Sequence, residues 1–266
     1  NFLMTGRTVS FGVQDGKGDV WLVKLNPNGE ILWSKTYDLG AEDSGTSLTV
    51  WGSDRYILTA NTCTADCRSI LTPQVFTSYL VLDAEGNVLK SQSFTEGPKN
   101  KFARVKLTHD GGAIMVGATS MQENFPSEDT WIIKLDANAD VEWTRIFTSY
   151  GRYDGAFDIV QTPDDGYAVA AYSQVYQTPE MNFDNFWLIR LNSAGEVLWS
   201  YTWGGPDNDD PLSIILTSDG RAMLAGGEDS KSWPLDQIPG PADFYVLKTT
   251  YDIIQLFLPC VLRGAG

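Results

Sequence analysis

The segment DVWLVKLNPNGEILW at Asp19–Trp33 recurs along the chain as DTWIIKLDANADVEW at Asp129–Trp143 and as NFWLIRLNSAGEVLW at Asn185–Trp199. Each copy joins two apolar runs through a short turn that is rich in Asn, Asp, Gly or Ala. Asn-Gly and related pairs supply the positive φ that a tight hairpin needs. Each copy therefore predicts a β-hairpin that carries a tryptophan in both of its strands.

Two less regular copies complete the series, so that five hairpins follow one another along the chain at nearly equal intervals. Their anchor positions are Trp21, Ser78, Trp131, Trp187 and Tyr245. A second hairpin alternates with the first and keeps step with it, and its turn residues are Asp54, Asp110, Asp165 and Asp219. Two hairpins in each repeat of roughly fifty residues are typical of the four-stranded blades of a β-propeller.

We therefore predict an all-β fold, a five-bladed β-propeller of four-stranded antiparallel blades. The predicted domain spans residues 1–252, with blades at about 1–40, 41–97, 98–150, 151–205 and 206–257, followed by an apolar tail at 253–266. The recurring tryptophans are predicted to pack between neighbouring blades. A repeating charge pair is also predicted. Its basic members are Lys24, Lys134, Arg190 and Lys248, and its acidic or amide members are Asp19, Asp129, Asn185 and Asp243.

The repeats resemble those of secreted bacterial and archaeal β-propeller proteins. The shared pattern is Asp-x-Trp, two aliphatic residues and Lys-Leu, followed by Gly-x-aliphatic-x-Trp, and it matches best at Asp19–Trp33, Asp129–Trp143 and Asn185–Trp199. The second repeat departs from the pattern, with Ser78 and Lys90 in the tryptophan places. The resemblance covers nearly the whole chain and implies the propeller fold, a secreted setting and a relation to extracellular filament subunits.

Charge and hydropathy exclude two classes of partner. The net charge is −15 and the pI is about 4.3, and so acidic a surface repels the phosphates of nucleic acids. No run of about 18 apolar residues exists to form a membrane span.

Cys63 and Cys67 lie close together in one loop, a spacing that suits a local disulfide and an oxidising compartment. The sequence thus predicts an extracellular or cell-surface protein that binds no nucleic acid and does not span a membrane.

The two ends of the chain do not match a closed ring of complete blades. Asn1–Val9 aligns with Tyr167–Ser173, the second strand of its blade, so the first blade lacks its innermost strand. Either one blade has three strands, or the missing strand was trimmed, or the tail of another copy donates it. An uncharged apolar edge segment favours strand addition. The predicted interface residues are Ile253, Ile254, Leu256, Phe257, Leu258, Val261 and Leu262.

From this mismatch the sequence predicts a non-enzymatic structural protein that associates end to end with copies of itself, as in a filament. No catalytic residues are predicted, because the chain has no GxSxG nucleophile, no phosphate loop and no metal constellation. No cofactor is predicted either. Calcium is the one ion that the acidic run Asp207–Asp210 would favour, but this run lacks the alternate spacing and glycine turn of a calcium loop.

The alternative prediction is a cell-surface propeller that binds carbohydrate or another ligand, and a glycosidase or lyase is a further one. Long loops follow the second strand of each blade and predict a ligand face. Its aromatic candidates are Phe125, Tyr176 and Trp233, and its acidic candidates are Glu123, Glu180, Asp184, Asp229 and Asp236. Two carboxyl groups at a set separation are what glycoside hydrolysis requires.

Overall fold

The computed structural model describes residues 1–10, 17–40, 42–63, 75–95, 97, 99–120, 127–149, 153–178, 181–204, 208–218, 221–228 and 243–248. These residues form eighteen β-strands and contain no helix. The predicted all-β fold is therefore confirmed. None of the described residues belongs to a helix that could cross a membrane.

The strands are short and follow one another through turns and loops. Strands β1 to β9 are Phe2–Thr8, Asp19–Leu25, Ile31–Tyr37, Glu42–Trp51, Arg55–Cys63, Val75–Asp83, Val88–Phe94, Lys99–Leu107 and Ala113–Ser120. Strands β10 to β18 are Asp129–Leu135, Val141–Phe147, Asp154–Gln161, Tyr167–Thr178, Met181–Leu191, Val197–Trp203, Asp209–Leu216, Ala222–Glu228 and Asp243–Lys248.

Within the described residues, neighbouring strands in sequence are neighbours in the sheets. The orders are β1-β2-β3, then β4-β5-β6-β7 and β8-β9-β10-β11, then β12-β13-β14-β15 and β16-β17-β18. The second and third groups share one sheet through a single parallel pair, Val75 with Lys99. The predicted number of blades and of strands in each blade stays a prediction at this point.

The hairpin turns adopt the backbone that their residues favour. Gly29 and Gly195 have φ of +85° and +75° in the turns of two tryptophan hairpins, and Gly111 has +81° in a second-type hairpin. In two turns a residue other than glycine takes the positive φ, Ala139 at +62° and Asp165 at +61°. Asp110 and Asp165 are therefore at, or next to, the positive-φ residue of their turns, and Asp54 ends the turn that begins at Gly52. The predicted turn residue Asp219 lies outside the described residues.

The described residues fall into two compact units, one within Asn1–Pro126 and Ile132–Glu142 and the other within Ser127–Trp131 and Trp143–Gly266. Each unit has its own core. In the first unit, the core residues include Val20, Leu22, Tyr56, Leu58, Ala60, Leu80 and Leu82. In the second, they include Ala168, Ala170, Leu188, Ile214, Ala222 and Leu224. The boundary of these units falls within β10 and β11, and the prediction of one domain over residues 1–252 remains a prediction.

The recurring tryptophans make contacts between strands and between successive repeats. Trp21 and Trp131 donate from Nε1 to hydroxyl groups across their hairpins, over 2.7 and 2.9 Å. In the second repeat, Ser78 and Ser93 make the corresponding contact through their hydroxyls, 2.8 Å apart. Trp143 lies against the hairpin of the following repeat, where a Cβ on Gly195 would come within 2.9 Å of its ring. These contacts agree with a packing role for the tryptophans.

A charge pair is described at two of the four predicted basic positions, and its acidic partners differ from the predicted ones. Lys134 is buried, and its Nζ binds Asp110 Oδ2 at 2.6 Å and Glu142 Oε2 at 3.1 Å. Arg190 pairs with Asp164 at 2.5 Å. Asp110 and Asp164 are turn residues of the second hairpin, whereas Lys24 Nζ donates to the Ala84 carbonyl. The predicted partner of Lys134, Asp129, lies an odd number of positions away on the same strand, and an odd separation places two side chains on opposite faces of a strand.

Candidate functional site

Several polar residues meet at one end of the sheet β12-β13-β14-β15. In that sheet, Asp154 pairs with Ser173, Ser173 with Asn185, and Gln174 with Asp184. Asp154 begins β12, Ser173 and Gln174 lie in β13, and Asp184 and Asn185 lie in the first half of β14. The sheet register therefore collects polar groups from three strands at one edge.

Glu128 joins this edge from the residue that precedes β10. Its backbone carbonyl accepts a hydrogen bond from the Asp154 N–H over 2.6 Å, and it forms an isolated parallel bridge with Tyr153. The Tyr172 hydroxyl donates to Glu128 Oε2 over 3.4 Å. The backbone of Glu128 is thus anchored, and its partly buried carboxylate faces the Tyr172 hydroxyl.

Asp184 lies on β14, where it pairs with Gln174, two residues after Tyr172 on β13. Gln174 Nε2 donates to Asp184 Oδ1 over 3.3 Å, and the Asp184 N–H donates to Asn208 Oδ1 over 3.1 Å. Burial raises the pKa of the Asp184 carboxyl, and the negative charge of Glu128 raises it further, while the Gln174 hydrogen bond partly offsets both. Glu128 and Asp184 are therefore an interacting carboxyl pair in which Asp184 holds its proton more tightly than a free aspartate does.

Tyr172 interacts electrostatically with both carboxyl groups and donates a hydrogen bond to Glu128. Burial raises the pKa of its hydroxyl well above the usual value, and the charges of Glu128 and Asp184 raise it further, so the hydroxyl stays protonated and acts as a donor. The Phe157 ring lies 5.4 Å from the Tyr172 ring, between centroids, and is partly exposed. We define Glu128, Tyr172, Gln174 and Asp184, with the Phe157 ring, as the carboxyl-pair site.

The structure describes few of the residues that were predicted to form the ligand face. Asp184 belongs to the carboxyl-pair site, and Tyr176 lies in β13, although its side chain is outside the described residues. Also outside the described residues are Phe125, Trp233, Glu123, Glu180, Asp229 and Asp236. The predicted interface residues Ile253, Ile254, Leu256, Phe257, Leu258, Val261 and Leu262 lie outside them as well.

Of the two cysteines predicted to form a disulfide, the structure describes only Cys63. Cys63 is the last residue of β5; it is buried and disulfide-bonded. Cys67 lies outside the described residues. The pairing of Cys63 with Cys67 therefore stays a prediction.

Sequence reasoning missed Glu128, although a signal for it was present. Glu128 and Asp184 both stand immediately before the Asp/Asn-x-Trp motif, one repeat apart, whereas Gly18 has this place in the first repeat. Acidic residues at this one position in two successive repeats were the signal in the sequence that pointed to a shared site.

The described residues contain one group of carboxylates that could hold a metal ion, and it lies in the first unit. It consists of Asp19, Asp38 and Asp43, each of which offers one oxygen within 4.8 Å of the other two. The acidic run weighed for calcium in the sequence lies elsewhere. Its residue Asp209 is buried at the start of β16, and Asn208 accepts the Asp184 N–H.

No protein-family model and no curated protein matches the chain. Among solved structures, a mannose phosphorylase from Leishmania mexicana is similar, with 12% identity and a TM-score of 0.48, over 99% of this chain and 85% of the phosphorylase. A Bacillus halodurans xylan β-1,4-xylosidase has 10% identity and a TM-score of 0.47, and the match covers 90% of this chain but only 52% of the xylosidase. An exo-1,5-α-L-arabinanase from a bovine ruminal metagenomic library has 7% identity and a TM-score of 0.44, over 99% of this chain and 92% of the arabinanase.

These neighbours contradict the prediction of a non-enzymatic, filament-forming structural protein, because they are carbohydrate-active enzymes. That prediction, and the prediction that the chain is not an enzyme, are therefore wrong by this comparison. The inference of a filament depended on the ends of the chain, and the lack of a sequence motif could not exclude a site assembled from separate strands. Similarity at this level of identity assigns no reaction to the chain.

Proposed function

We propose that this protein is a carbohydrate-active enzyme that cleaves a glycosidic bond at the carboxyl-pair site. The observation that carries the proposal is the electrostatic interaction of Glu128 with Asp184, next to the Tyr172 hydroxyl that donates to Glu128, with the pKa of Asp184 raised by burial and by Glu128. Glycoside hydrolysis needs one carboxyl group that stays protonated and a second that acts as a carboxylate. The raised pKa of Asp184 favours this residue for the protonated role.

We also infer that the strand groups are the blades of a five-bladed propeller, with three strands described in the first and last blades. The agreement of strand groups and sequence repeats supports this inference. An extracellular setting is part of the proposal, since the disulfide bond of Cys63 suits an oxidising compartment. The carboxyl-pair site lies at the end of the sheet where β12 begins, close to connecting segments of the kind that commonly carry ligand sites.

In the proposed reaction, Asp184 is the general acid and transfers its proton to the glycosidic oxygen as the bond from that oxygen to the anomeric carbon breaks. Glu128, as the carboxylate, either takes a proton from the water that attacks the anomeric carbon or attacks that carbon itself. Tyr172 keeps its proton and orients Glu128 through the hydrogen bond to Oε2. Gln174 holds Asp184 in place in the same way.

The surroundings of the site favour an uncharged glycan as substrate. The net charge of −15 repels polyanionic polysaccharides. The partly exposed Phe157 ring, next to Tyr172, offers an apolar surface to the hydrophobic face of a sugar ring. We therefore expect neutral polysaccharides, such as xylan, arabinan and mannan, to be the substrate class.

The proposal is tested by measuring the release of reducing ends from neutral polysaccharides and aryl glycosides with the full chain. Glu128→Gln and Asp184→Asn are each expected to lower kcat by about 10²–10⁴-fold, the usual contribution of a general acid or base. Asp54→Asn, which removes an exposed hairpin carboxylate, is the control of matched charge and is expected to keep full activity. Asp184→Asn should also remove the alkaline limb of the pH profile, because that limb reports loss of the acid proton.

Turnover that survives in both variants would contradict the assignment of the site. Absence of turnover on the whole panel, together with calorimetric binding of a neutral oligosaccharide that Glu128→Gln abolishes, would make the site a carbohydrate-binding site without catalysis. Absence of both turnover and binding would reject the proposed substrate class.

A further inference from the structure

Three carboxylates meet where the first repeat leads into the second. Asp19 begins β2, Asp38 follows the last residue of β3, and Asp43 lies at the start of β4. Each offers one oxygen within 4.8 Å of the other two. We call this group the acidic junction, and it lies wholly within the first unit.

Two of these three carboxylates are out of contact with water. Asp43 is 0% exposed and Asp19 is 3% exposed, whereas Asp38 is exposed. Carboxylates in such proximity repel one another, and burial makes the repulsion stronger because it lowers the local dielectric. A positive charge is therefore needed if all three are to be ionised in the folded protein.

Asp43 has one satisfied oxygen and one that is not. Its Oδ2 accepts the N–H groups of Leu39 and Gly40, over 2.6 and 3.1 Å. Its Oδ1 is buried and meets no described group in hydrogen-bond geometry. The Thr62 hydroxyl, on the strand paired with Asp43, interacts with the carboxyl but lies outside that geometry. A buried carboxylate oxygen without a well-aligned donor is costly, and a bound cation or an ordered water satisfies it.

The other junctions between repeats lack this set of three acids. In the four-stranded groups, the position that corresponds to Asp19 lies near the start of the third strand. The position of Asp38 follows the last strand, and the position of Asp43 lies near the start of the next group. At the remaining junctions, these positions hold Phe76, Thr95 and Asn100, then Asp129, Thr148 and Asp154, then Asn185, Gly204 and Asp209. The third carboxylate is thus a departure from the repeat and is not required by the shared backbone.

We propose that Asp19, Asp38 and Asp43 form a binding site for one calcium ion. Calcium takes carboxylate oxygens at about 2.3–2.6 Å, so oxygens around one ion lie up to about 5 Å apart. A mutual separation within 4.8 Å fits that limit. Asp38, as the exposed member, is the point at which the ion enters, and water completes the coordination on that side.

A protein cation is the competing source of positive charge. Asp19 makes a further polar or electrostatic contact within the protein, as does Lys17, two residues before it. A lysine ammonium neutralises one carboxylate, however, and leaves two of the three uncompensated. The experiment must therefore distinguish an added ion from a charge that the chain already supplies.

The experiment titrates Ca²⁺ into the chelator-treated full chain in a calorimeter and follows Tm in parallel. We expect binding at one site and a rise in Tm of at least about 5 °C at a hundredfold excess over Kd. Asp38→Thr places at this junction the residue type of Thr148, and because Asp38 is exposed, the variant should fold. It is expected to lose at least tenfold in affinity. Asp129→Asn, the same charge change at another junction, is expected to bind as the unmodified chain does.

Three outcomes overturn the proposal. The first is the absence of binding and of a Tm rise in the unmodified chain, which would leave Lys17 or another protein cation as the neutralising group. The second is equal binding by Asp38→Thr. The third is equal loss in Asp129→Asn, which would mean that calcium responds to the overall negative charge and not to the acidic junction. None of these measurements depends on glycosidase activity, so they test this site separately from the carboxyl-pair site.

Discussion

Asp43 and Asp154 occupy the same place in two different repeats, one in each unit. Both are 0% exposed, and each donates its backbone N–H over 2.6 Å to the carbonyl of a residue just before a tryptophan motif, Gly18 for Asp43 and Glu128 for Asp154. Each carboxylate also accepts backbone N–H groups from the preceding loop. The backbone of the two junctions is therefore organised in the same way.

The side chains around the two aspartates differ. Ser149 donates both its N–H and its hydroxyl to Asp154, and Ser173 donates to the Ser149 hydroxyl. At Asp43, Leu39 stands in the place of Ser149, and the Thr62 hydroxyl of the paired strand, in the place of Ser173, interacts with the carboxyl. A third carboxylate, Asp38, stands nearby. The repeat thus supplies a buried aspartate at both junctions. The residues beside it, Asp38 and Leu39 in one junction and Thr148 and Ser149 in the other, decide whether the aspartate only anchors the loop or can also bind an ion.

The largest expected effect is on stability when each aspartate is replaced by alanine. Asp154→Ala removes two hydrogen bonds to a buried carboxylate and leaves Ser149 without its acceptor, so we expect a loss of about 3 kcal/mol in the free energy of unfolding. Asp43→Ala in the presence of chelator removes two bonds from backbone N–H groups but also relieves repulsion. Its expected loss is about 1 kcal/mol. Denaturant titration of both variants measures the difference.

Added calcium sharpens this test. It should stabilise the unmodified chain and Asp154→Ala to the same extent, and leave Asp43→Ala unchanged, because only the last lacks a ligand of the acidic junction. Equal losses for the two alanine variants in chelator would mean that the two junctions do not differ in the way that their contacts indicate.

Much of the fold followed from periodicity, because a repeated pattern of apolar runs and turn residues leaves few ways to form strands. Trp21 and Ser78 show how far this reached. The regular interval between repeats placed Ser78 in the tryptophan position. In the structure, the Ser78 hydroxyl contacts the Ser93 hydroxyl, just as Trp21 donates to the Ser34 hydroxyl in the first repeat. The partner of Lys134 did not follow, because Asp110 comes close only when a neighbouring strand is placed beside β10.

The candidate sites were harder to predict, for a physical reason. Asp184 was one of several loop acids in the sequence, and its place directly before the Asn-x-Trp motif, shared with Glu128, was the one local feature that set it apart from Glu123 or Glu180. Its pairing with Glu128 depends on strand register, which brings together residues that are a whole repeat apart in the chain. Asp19, Asp38 and Asp43 likewise approach one another only after β2, β3 and β4 are in place.

The next prediction transfers the acidic junction to the second unit. Thr148→Asp combined with Ser149→Leu gives the junction of Asp154 the residue types found at Asp38 and Leu39, and both positions are at least partly exposed. Without calcium, this variant should lose about 1–2 kcal/mol, from repulsion and from the missing serine hydroxyl. With calcium, part of that loss should return, and calorimetry should show a second binding site.

Failure to gain a second site would contradict the view that three carboxylates on this backbone suffice for binding. The double variant Thr148→Asn with Ser149→Leu is the matched control, since it makes the same packing changes without the charge. Its stability should not depend on calcium beyond the response of the unmodified chain.

The smallest expected effect is on the pH dependence of stability, which should have opposite signs for Asp154 and for Asp110, a hairpin carboxylate of the first unit. Burial raises the pKa of Asp154 more than its serine partners lower it. Its contribution is therefore full below the unfolded pKa of about 4 and is lost as the pH rises through the folded value. Burial alone would raise the pKa of Asp110 too, but hydrogen bonds from Lys134 and Thr108 outweigh it and lower that pKa to about 2.

Asp110 therefore stabilises the fold above pH 4, and this contribution is lost as the pH falls towards 2. Since its side chain is 54% exposed, the change should stay below about 1 kcal/mol. Tm measured from pH 2 to 7 should show that Asp110→Asn flattens the acid limb, while Asp154→Asn flattens the decline above pH 4. The same response in both variants would refute the opposite signs, because a raised and a lowered pKa cannot shift stability in the same pH window in the same direction.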